Sequence, residues 1–281
     1  MTEFGNLLAS SVPTGVAAGS DGNTWFTEFA GGRIGVMSPA GSLLHEYLVP
    51  TSTGEPQGIA EGPDGNLWYT EWAGNLIGRV TPGGFSVEYP LPTLASFPSA
   101  ITQGADGKMW FTEWATGRVA SIDPSGNVVE HVLPFGSKPA GIAAGPDGDL
   151  WVTESGIDQV ARVGTDGSVT QYQLPAGSRP WGIAAGPDGG MWFTERGADQ
   201  IGRIQATSCV QLVSSPAVFP TSGSEKCFIA PAGVSQVRVK AVGGSGGAGY
   251  TSDPTADPAG SGSGGASVTA ALPVSPGDSY Y

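Results

Sequence analysis

Apolar and polar positions recur along the first 206 residues of the chain with a nearly constant spacing. Each copy follows the pattern PxGIAxGPDGxxWFTE and continues with an apolar segment such as LIGRV, a polar turn and an alternating segment such as VTQYQLP. The tryptophans of these copies are separated by 43, 42, 41 and 41 residues, and the aspartates that precede them keep the same intervals. The tryptophans are Trp25, Trp68, Trp110, Trp151 and Trp192. A fixed period of this length indicates a repeat architecture.

Each repeat contains four segments that are typical of short antiparallel strands. The apolar segments GIAAG and WFTE are separated by GPDG, in which Pro presets φ at one turn position and Gly accepts positive φ at another, so they predict a hairpin. Turns such as DPSGN join a third strand to a fourth, whose alternation of apolar and polar residues suits a half-exposed edge. Four strands per repeat of about 42 residues form a β-propeller blade.

We therefore predict an all-β fold with five recognisable propeller blades over residues 1–206. The segment TEF at residues 2–4 is similar to the fourth strand of a blade. It leaves two arrangements open: a closed five-blade ring completed by this strand, or an open arc belonging to a larger propeller. The final GDSYY ends where another strand is expected to begin, which favours the arc.

The repeat pattern ends near residue 206. We predict a linker over residues 207–224 and a small, truncated glycine-rich β module over 225–281, where CFIAPAGVSQVRVKAVG and SVTAALPVSPGDSYY alternate as strands do. This module resembles those near the ends of secreted or surface bacterial proteins, which favours a secreted or cell-envelope location; a complete chain without a signal segment would be cytoplasmic. Cys209 and Cys227 are compatible with one disulfide or with two buried thiols.

Composition narrows the classes of partner. The chain has 46 Gly and 23 Pro, which argues against a helical bundle, and 12 basic against 25 acidic residues, for a net charge of −13. Such a charge repels a phosphate backbone, so we expect no nucleic acid partner. No segment has the length and apolarity of a membrane span. We expect a monomer that binds a small molecule or peptide near the propeller axis.

One acidic position occurs in every repeat, at the end of the WFTE segment. If the carboxylates point towards the axis, their repulsion must be relieved by raised pKa values, by hydrogen bonds or by a cation. The alternative, which we favour for most of them, is a repeated structural device in which each Glu accepts hydrogen bonds from backbone and from a Thr such as Thr27 or Thr70. The residues are Glu28, Glu71, Glu113, Glu154 and Glu195.

The aromatic residues and histidines divide into two groups. We expect the repeated tryptophans to pack between blades, whereas Trp72, Trp114 and Trp181 occur in only some copies and are candidates for ligand contact. His45 and His131 fall on the predicted outermost strands, far from the axis, so we do not expect them to be catalytic. The sequence also lacks GxSxG, HExxH, GxxxxGK[ST] and CxxC. We therefore do not expect a serine hydrolase, a zincin, a nucleotide-phosphate-binding protein or a thiol-redox protein.

The repeat, and above all GEPQGIAEGPDGNLWYTEWAGNLIGRVTPGG, resembles that of virginiamycin B lyases, which are seven-bladed propellers. The resemblance implies an elimination that opens streptogramin B antibiotics at their ester: a His removes the α proton and Mg²⁺ polarises the carbonyl. The family's base follows a Glu-Pro pair. That Glu and a second Glu, fourteen residues after the base, bind Mg²⁺, and the preceding repeat offers a further His to the substrate.

Carried over residue by residue, the resemblance places Mg²⁺ at Glu55 and Glu71, and substrate contacts at Thr14 and Gln57. Gln57 occupies the position of the base, and an amide does not accept a proton at neutral pH. The equivalent residues of the later repeats are Ser99, Ala140 and Trp181. We therefore predict a lyase-type propeller without its general base. One alternative is a non-catalytic binding propeller. A third possibility is a sugar-lactone hydrolase in which Glu55, Gln57 and Glu71 bind the metal.

Overall fold

The computed structural model describes residues 7–8 and 10–206, and beyond them only five strands, at 210–211, 228–229, 236–242, 267–273 and 279–280. The predicted strand at residues 2–4, both cysteines and most of the predicted linker lie outside the described residues. Contacts divide the chain into two units, Met1–Ala206 and Thr207–Tyr281.

The first unit is a series of antiparallel sheets, each built from strands in chain order, which confirms the predicted β-propeller architecture. Blade 1 contains β1 (Pro13–Ala18), β2 (Thr24–Glu28), β3 (Arg33–Met37) and β4 (Leu43–Leu48). Blade 2 contains β5 (Pro56–Glu61), β6 (Leu67–Glu71), β7 (Leu76–Val80) and β8 (Ser86–Pro90). Blade 3 contains β9 (Pro98–Gln103), β10 (Met109–Glu113), β11 (Arg118–Ile122) and β12 (Val128–Val132). Blade 4 contains β13 (Pro139–Ala144), β14 (Leu150–Glu154), β15 (Gln159–Val163) and β16 (Val169–Gln173). Blade 5 has three described strands, β17 (Pro180–Ala185), β18 (Gly190–Glu195) and β19 (Gln200–Gln205).

Burial follows the order of strands within a blade. Every residue of β6, β10 and β14 is buried, because a neighbouring blade covers each face of the sheet. The fourth strands β8, β12 and β16 keep partly exposed residues, as their alternating sequences predict. The hairpin between β5 and β6 closes as expected, with the amide of Gly62 donating to the carbonyl of Asn66 and with Gly65 at a φ of 70°.

The core lies between blades. Trp68 is fully buried and packs with Ile77 against Ile101, Met109 and Phe111 of the next blade. Its indole N–H donates to the Asp64 carboxylate at 3.0 Å, and the same bond recurs in every copy, which explains the constant spacing of the repeated Asp and Trp. The tryptophans of blades 1 to 4 therefore pack between blades, as predicted.

The described blades form an arc with two uncovered ends. Inner strands contact one another in the order β1, β5, β9, β13, β17, and within residues 10–206 no contact of similar extent joins β17 to β1. Trp192 of blade 5 is 41% exposed, whereas the four earlier repeat tryptophans are at most 1% exposed, and Val16 on β1 is 70% exposed. Of the two arrangements that the sequence left open, the described residues adopt the arc.

The second unit contributes β20 (Val210–Gln211), β21 (Phe228–Ile229), β22 (Gln236–Val242), β23 (Ser267–Pro273) and β24 (Ser279–Tyr280). β22 and β23 pair antiparallel along their whole length, and β21 lies between β20 and β24. In the part of the chain that the structure describes, there is no helix capable of crossing a bilayer.

Candidate functional site

The start of each inner strand carries a β-bulge that the sequence pattern did not reveal. On β5 and β6, Pro56 pairs with Glu71 and Ile59 pairs with Tyr69, so two residues of β5 oppose one of β6. Gln57 occupies this bulge. A bulge redirects a side chain and is common next to functional sites. The equivalent residues of the other blades are Thr14, Ser99, Ala140 and Trp181.

A threonine from the second strand holds each bulge in place. The hydroxyl of Thr70 accepts a hydrogen bond from the amide of Gly58 at 2.9 Å and donates to the carbonyl of Ser99, in the next blade, at 2.7 Å. Thr27 and Thr153 make the same pair of contacts. The threonines therefore bond to backbone, which corrects the expectation that Thr27 and Thr70 donate to the repeated glutamates.

Each inner strand is preceded by a residue with a φ of 45° to 53°, a conformation that non-glycine residues rarely adopt. Its carbonyl accepts the amide N–H of the residue after the repeated Glu, as in the 3.1 Å bond from Trp72 to Glu55. Two residues per blade are thus joined through their backbones, and we call these positions the rim. The rim pairs are Val12 with Phe29, Glu55 with Trp72, Phe97 with Trp114, Lys138 with Ser155 and Arg179 with Arg196.

The repeated glutamates are buried but do not face the axis. Both carboxylate oxygens of Glu154 accept hydrogen bonds from Gln171 on the outermost strand, at 3.2 and 3.0 Å, and Glu71 likewise meets Glu88 on β8. The hypothesis of axis-facing carboxylates is therefore wrong for these residues, because their side chains cross the blade outwards. The alternative that we favoured, a repeated structural role, fits this geometry. The partners of the glutamates are side chains of the outermost strand, however, instead of the backbone and threonine groups that we expected.

Burial raises the pKa of four of the repeated glutamates, those of blades 1 to 4, and a facing carboxylate adds to the effect where there is one. The pKa of Glu71 rises to about 9 through desolvation and the nearby Glu88. Burial together with the nearby Glu46 raises the pKa of Glu28 to about 7, and burial together with the nearby Glu130 raises that of Glu113 to about 7. The pKa of Glu154 rises to about 7 through burial alone. Paired acids of this kind require a shared proton or a cation.

Glu71, one of the two predicted Mg²⁺ ligands, carries a buried carboxylate. Both of its carboxylate oxygens are buried without a hydrogen-bond donor among the described residues, and Gly54 covers them so closely that a Cβ there would overlap the carboxylate. Glu55 follows Gly54 and is linked to the strand end of Glu71 through the bond from Trp72. Within the described residues no group of three or more Asp, Glu, His or Cys side chains has an arrangement that could hold a metal ion. A Mg²⁺ site at Glu55 and Glu71 therefore stays a prediction, for which hard carboxylates are the appropriate type of ligand.

The structure brings two of the three candidate tryptophans together. Trp72 lies with its ring centroid 5.2 Å from that of Phe97 and 5.7 Å from that of Trp114. Lys138 places Nζ 5.0 Å from the centroid of Trp114. Trp181 belongs to blade 5, where the guanidinium carbon of Arg196 lies 3.8 Å from its ring. Sequence reasoning missed Phe97, Lys138 and Arg196 because they occupy variable positions of the repeat.

Thr14 and Gln57 contact the neighbouring blade or are partly buried, and the two histidines lie far from both. The Thr14 hydroxyl lies 3.2 Å from the carbonyl of Gln57 and 3.0 Å from the hydroxyl of Thr27, so it helps to join blades 1 and 2. The amide oxygen of Gln57 is buried without a donor among the described residues. His45 and His131 lie on β4 and β12, the outermost strands, as predicted, and His131 stacks on Trp110.

Comparison with protein-family models identifies the family of this chain. The model of the virginiamycin B lyase family matches residues 1–231, and the chain belongs to this family. A search of curated proteins found no match.

Three solved structures illustrate the similarity. Selenomethionine-substituted virginiamycin B lyase from Staphylococcus aureus is 39% identical, over 73% of this chain and 70% of that chain, with a TM-score of 0.71. A catalytically inactive His-to-Ala variant of that enzyme with quinupristin is 40% identical, over 72% and 69%, with a TM-score of 0.70. A streptogramin B lyase is 31% identical, over 72% and 83%, with a TM-score of 0.58.

Proposed function

We propose that this propeller binds a streptogramin B-type cyclic depsipeptide at its rim in the presence of Mg²⁺, without efficient ring opening. The observation that carries the proposal is the presence of Gln57 on the bulge of β5, directly after a Glu-Pro pair. An amide at this position donates or accepts hydrogen bonds but does not remove a proton. The loss of a general base lowers a rate by about 10² to 10⁴.

The residues around Gln57 support ligand binding. Glu55 and Glu71 would hold Mg²⁺, which supplies Lewis-acid polarisation of an ester carbonyl when it is bound. Trp72 and Trp114, next to each other on the rim, offer flat apolar faces to a ring or side chain of the ligand. Glu71 takes part only in its ionised form, so Mg²⁺ affinity increases with pH up to the raised pKa of about 9.

A second candidate is the lyase reaction itself, with the base supplied by a residue outside those described. It is favoured by the 39% identity to virginiamycin B lyase from Staphylococcus aureus and by the presence of Glu55, Pro56 and Glu71 in one repeat. The inactivity of the His-to-Ala relative bound to quinupristin shows, for that enzyme, that a His is needed. The binding propeller and the active lyase therefore take the same ligand and differ only in whether they open its ring.

A titration of quinupristin and Mg²⁺ tests the proposal. Calorimetry should show quinupristin binding that Mg²⁺ strengthens, and Glu71→Gln should remove the Mg²⁺ effect. Glu113→Gln is the matched control, because Glu113 occupies the same position of a blade whose rim carries Phe97 instead of an acid.

Chromatography of the ligand with mass detection follows ring opening. Elimination leaves the mass of the ligand unchanged, whereas hydrolysis adds the mass of one water. Rapid elimination by the unmodified chain would establish the second candidate, and an absence of binding would contradict both.

A further inference from the structure

Three cations of the propeller differ from the other six in forming no ion pair with a described carboxylate. Residues 10–206 contain nine Lys and Arg residues, and six of them form an ion pair with a carboxylate. The other three form no ion pair with any carboxylate that the structure describes. They are Lys138, Arg179 and Arg196.

These three residues all occupy rim positions of blades 4 and 5. Lys138 and Arg179 are equivalent residues, each preceding the Pro that begins an inner strand, and the amide of Arg196 donates to the carbonyl of Arg179 at 3.2 Å. All three side chains are exposed. Asp158 accepts the amides of Arg179 and Gly177 at 2.7 Å each, and the nearby positive charge of Arg179 contributes to lowering the pKa of Asp158. Within residues 10–206, the cations without an ion pair thus all lie at the rim of two consecutive blades.

Two tryptophans fix the direction of two of the cations. The guanidinium of Arg196 lies 3.8 Å above the ring of Trp181, and Nζ of Lys138 lies 5.0 Å from the ring centroid of Trp114. A guanidinium that stacks on an indole keeps its N–H donors in its own plane, where they remain free for a carboxylate. Because stacking already restricts the side chain, less conformational entropy is lost when an anion binds.

We propose that Lys138, Arg179 and Arg196, together with Trp114 and Trp181, form a binding site for an organic carboxylate carried on a planar ring. The guanidinium groups bind the carboxylate through charge-assisted hydrogen bonds, and the indole edges contact the ring. The remaining surface, rich in acids, repels the same ligand, so binding is confined to this part of the rim. The site goes beyond the proposed function, since it involves neither Mg²⁺ nor Gln57 and holds whether or not a depsipeptide binds.

Binding of 1-naphthoate in buffer of physiological ionic strength without Mg²⁺ tests the proposal, with neutral 1-naphthamide as the matched ligand. We expect the triple variant Lys138→Gln, Arg179→Gln, Arg196→Gln to weaken naphthoate binding by about tenfold or more, and the amide to bind the unmodified chain at least about tenfold more weakly than the acid. Arg203→Gln is the control variant: Arg203 also lies over a tryptophan, Trp192, but is neutralised by Asp188 at 2.7 Å. We expect it to bind naphthoate as the unmodified chain does.

Three results would overturn the proposal: no naphthoate binding by the unmodified chain, equal binding by the triple variant, or equal binding of acid and amide. Thermal unfolding of each variant shows that it is folded, and the single substitutions, all at exposed side chains, provide folded variants if the triple one is not. Glu71→Gln separates this site from the proposed function, because it should leave naphthoate binding unchanged while it removes the Mg²⁺ effect on quinupristin.

Discussion

Glu154 accepts two hydrogen bonds from the side-chain amide of Gln171, at 3.2 and 3.0 Å, at the place where the three preceding blades set two glutamates against each other. The amide supplies donors that a second carboxylate lacks unless it is protonated. Blade 4 is thus a natural amide variant of the acid pair, and the comparison explains why burial is the only cause of the raised pKa of Glu154.

Gln171→Glu should convert blade 4 to the acid pair of blades 1 to 3 and destabilise the fold as pH rises. The pKa of Glu154 is already raised to about 7, and a second carboxyl raises it further, so the folded state holds a proton that the unfolded state releases near its ordinary value of 4.5. The variant should match the unmodified chain below about pH 4.5 and lose about 1–2 kcal/mol at pH 8. Urea unfolding at both pH values measures the effect. Gln103→Glu, an exposed isosteric change, should show no such dependence.

Thr70→Val should weaken the joint between blades 2 and 3. The variant keeps the shape of the side chain but leaves the amide of Gly58 and the carbonyl of Ser99 without their hydroxyl partner, which costs about 2–4 kcal/mol for two buried groups. Thr194→Val is the control, because exposed Thr194 accepts only the amide of Gly182, and its cost should stay below about 1 kcal/mol. Equal losses of unfolding free energy in the two variants would contradict the assignment of Thr70 as a link between blades.

Trp68→Phe should cost much more than Trp192→Phe. Trp68 is fully buried between blades and donates to Asp64, so the smaller ring leaves a cavity and removes this hydrogen bond, for about 2–4 kcal/mol. Trp192 is 41% exposed, and its replacement should cost about 1 kcal/mol or less. Denaturant unfolding of the two variants compares them. Similar costs would mean that the outer face of blade 5 is covered as the other blades are.

Gly54→Ala should disturb the carboxylate that we assign to Mg²⁺. A Cβ at residue 54 would overlap the buried carboxylate of Glu71, so the variant must displace that side chain or the loop, at about 1–3 kcal/mol. We expect Mg²⁺ affinity to fall with it in calorimetric titrations. Gly83→Ala meets nothing closer than the Thr81 hydroxyl at 3.8 Å and should change neither stability nor Mg²⁺ binding. If the Gly54→Ala variant is destabilised as expected but binds Mg²⁺ with unchanged affinity, Glu71 is excluded as a ligand.

The sequence was sufficient to predict those features that depend on local pattern. The hairpin between β5 and β6, the half-exposed fourth strands and the buried repeat tryptophans follow from turn chemistry and alternation, and their repetition makes the propeller the natural solution. The outward direction of Glu71 was not accessible, because its partner Glu88 lies two strands away and the contact depends on sheet register.

The site was predictable only in part for the same reason. The family resemblance identified Glu55, Gln57 and Glu71, but the bulge that positions Gln57 is a mismatch in pairing that no single strand displays. The cations Lys138, Arg179 and Arg196 occupy positions that vary between repeats, so a search for constant residues does not find them. Their common location emerges only when the blades place these positions side by side.

Gln57→His tests the central claim most directly, since it restores a base on the bulge next to Glu55 and Glu71. With Mg²⁺, this variant should open quinupristin by elimination at a rate about 10² to 10⁴ above that of the unmodified chain, as followed by chromatography at constant mass. Ser99→His, which places the same side chain on the bulge of β9 without a preceding Glu, should stay at the unmodified rate. A folded Gln57→His variant that is no faster than Ser99→His would contradict the account.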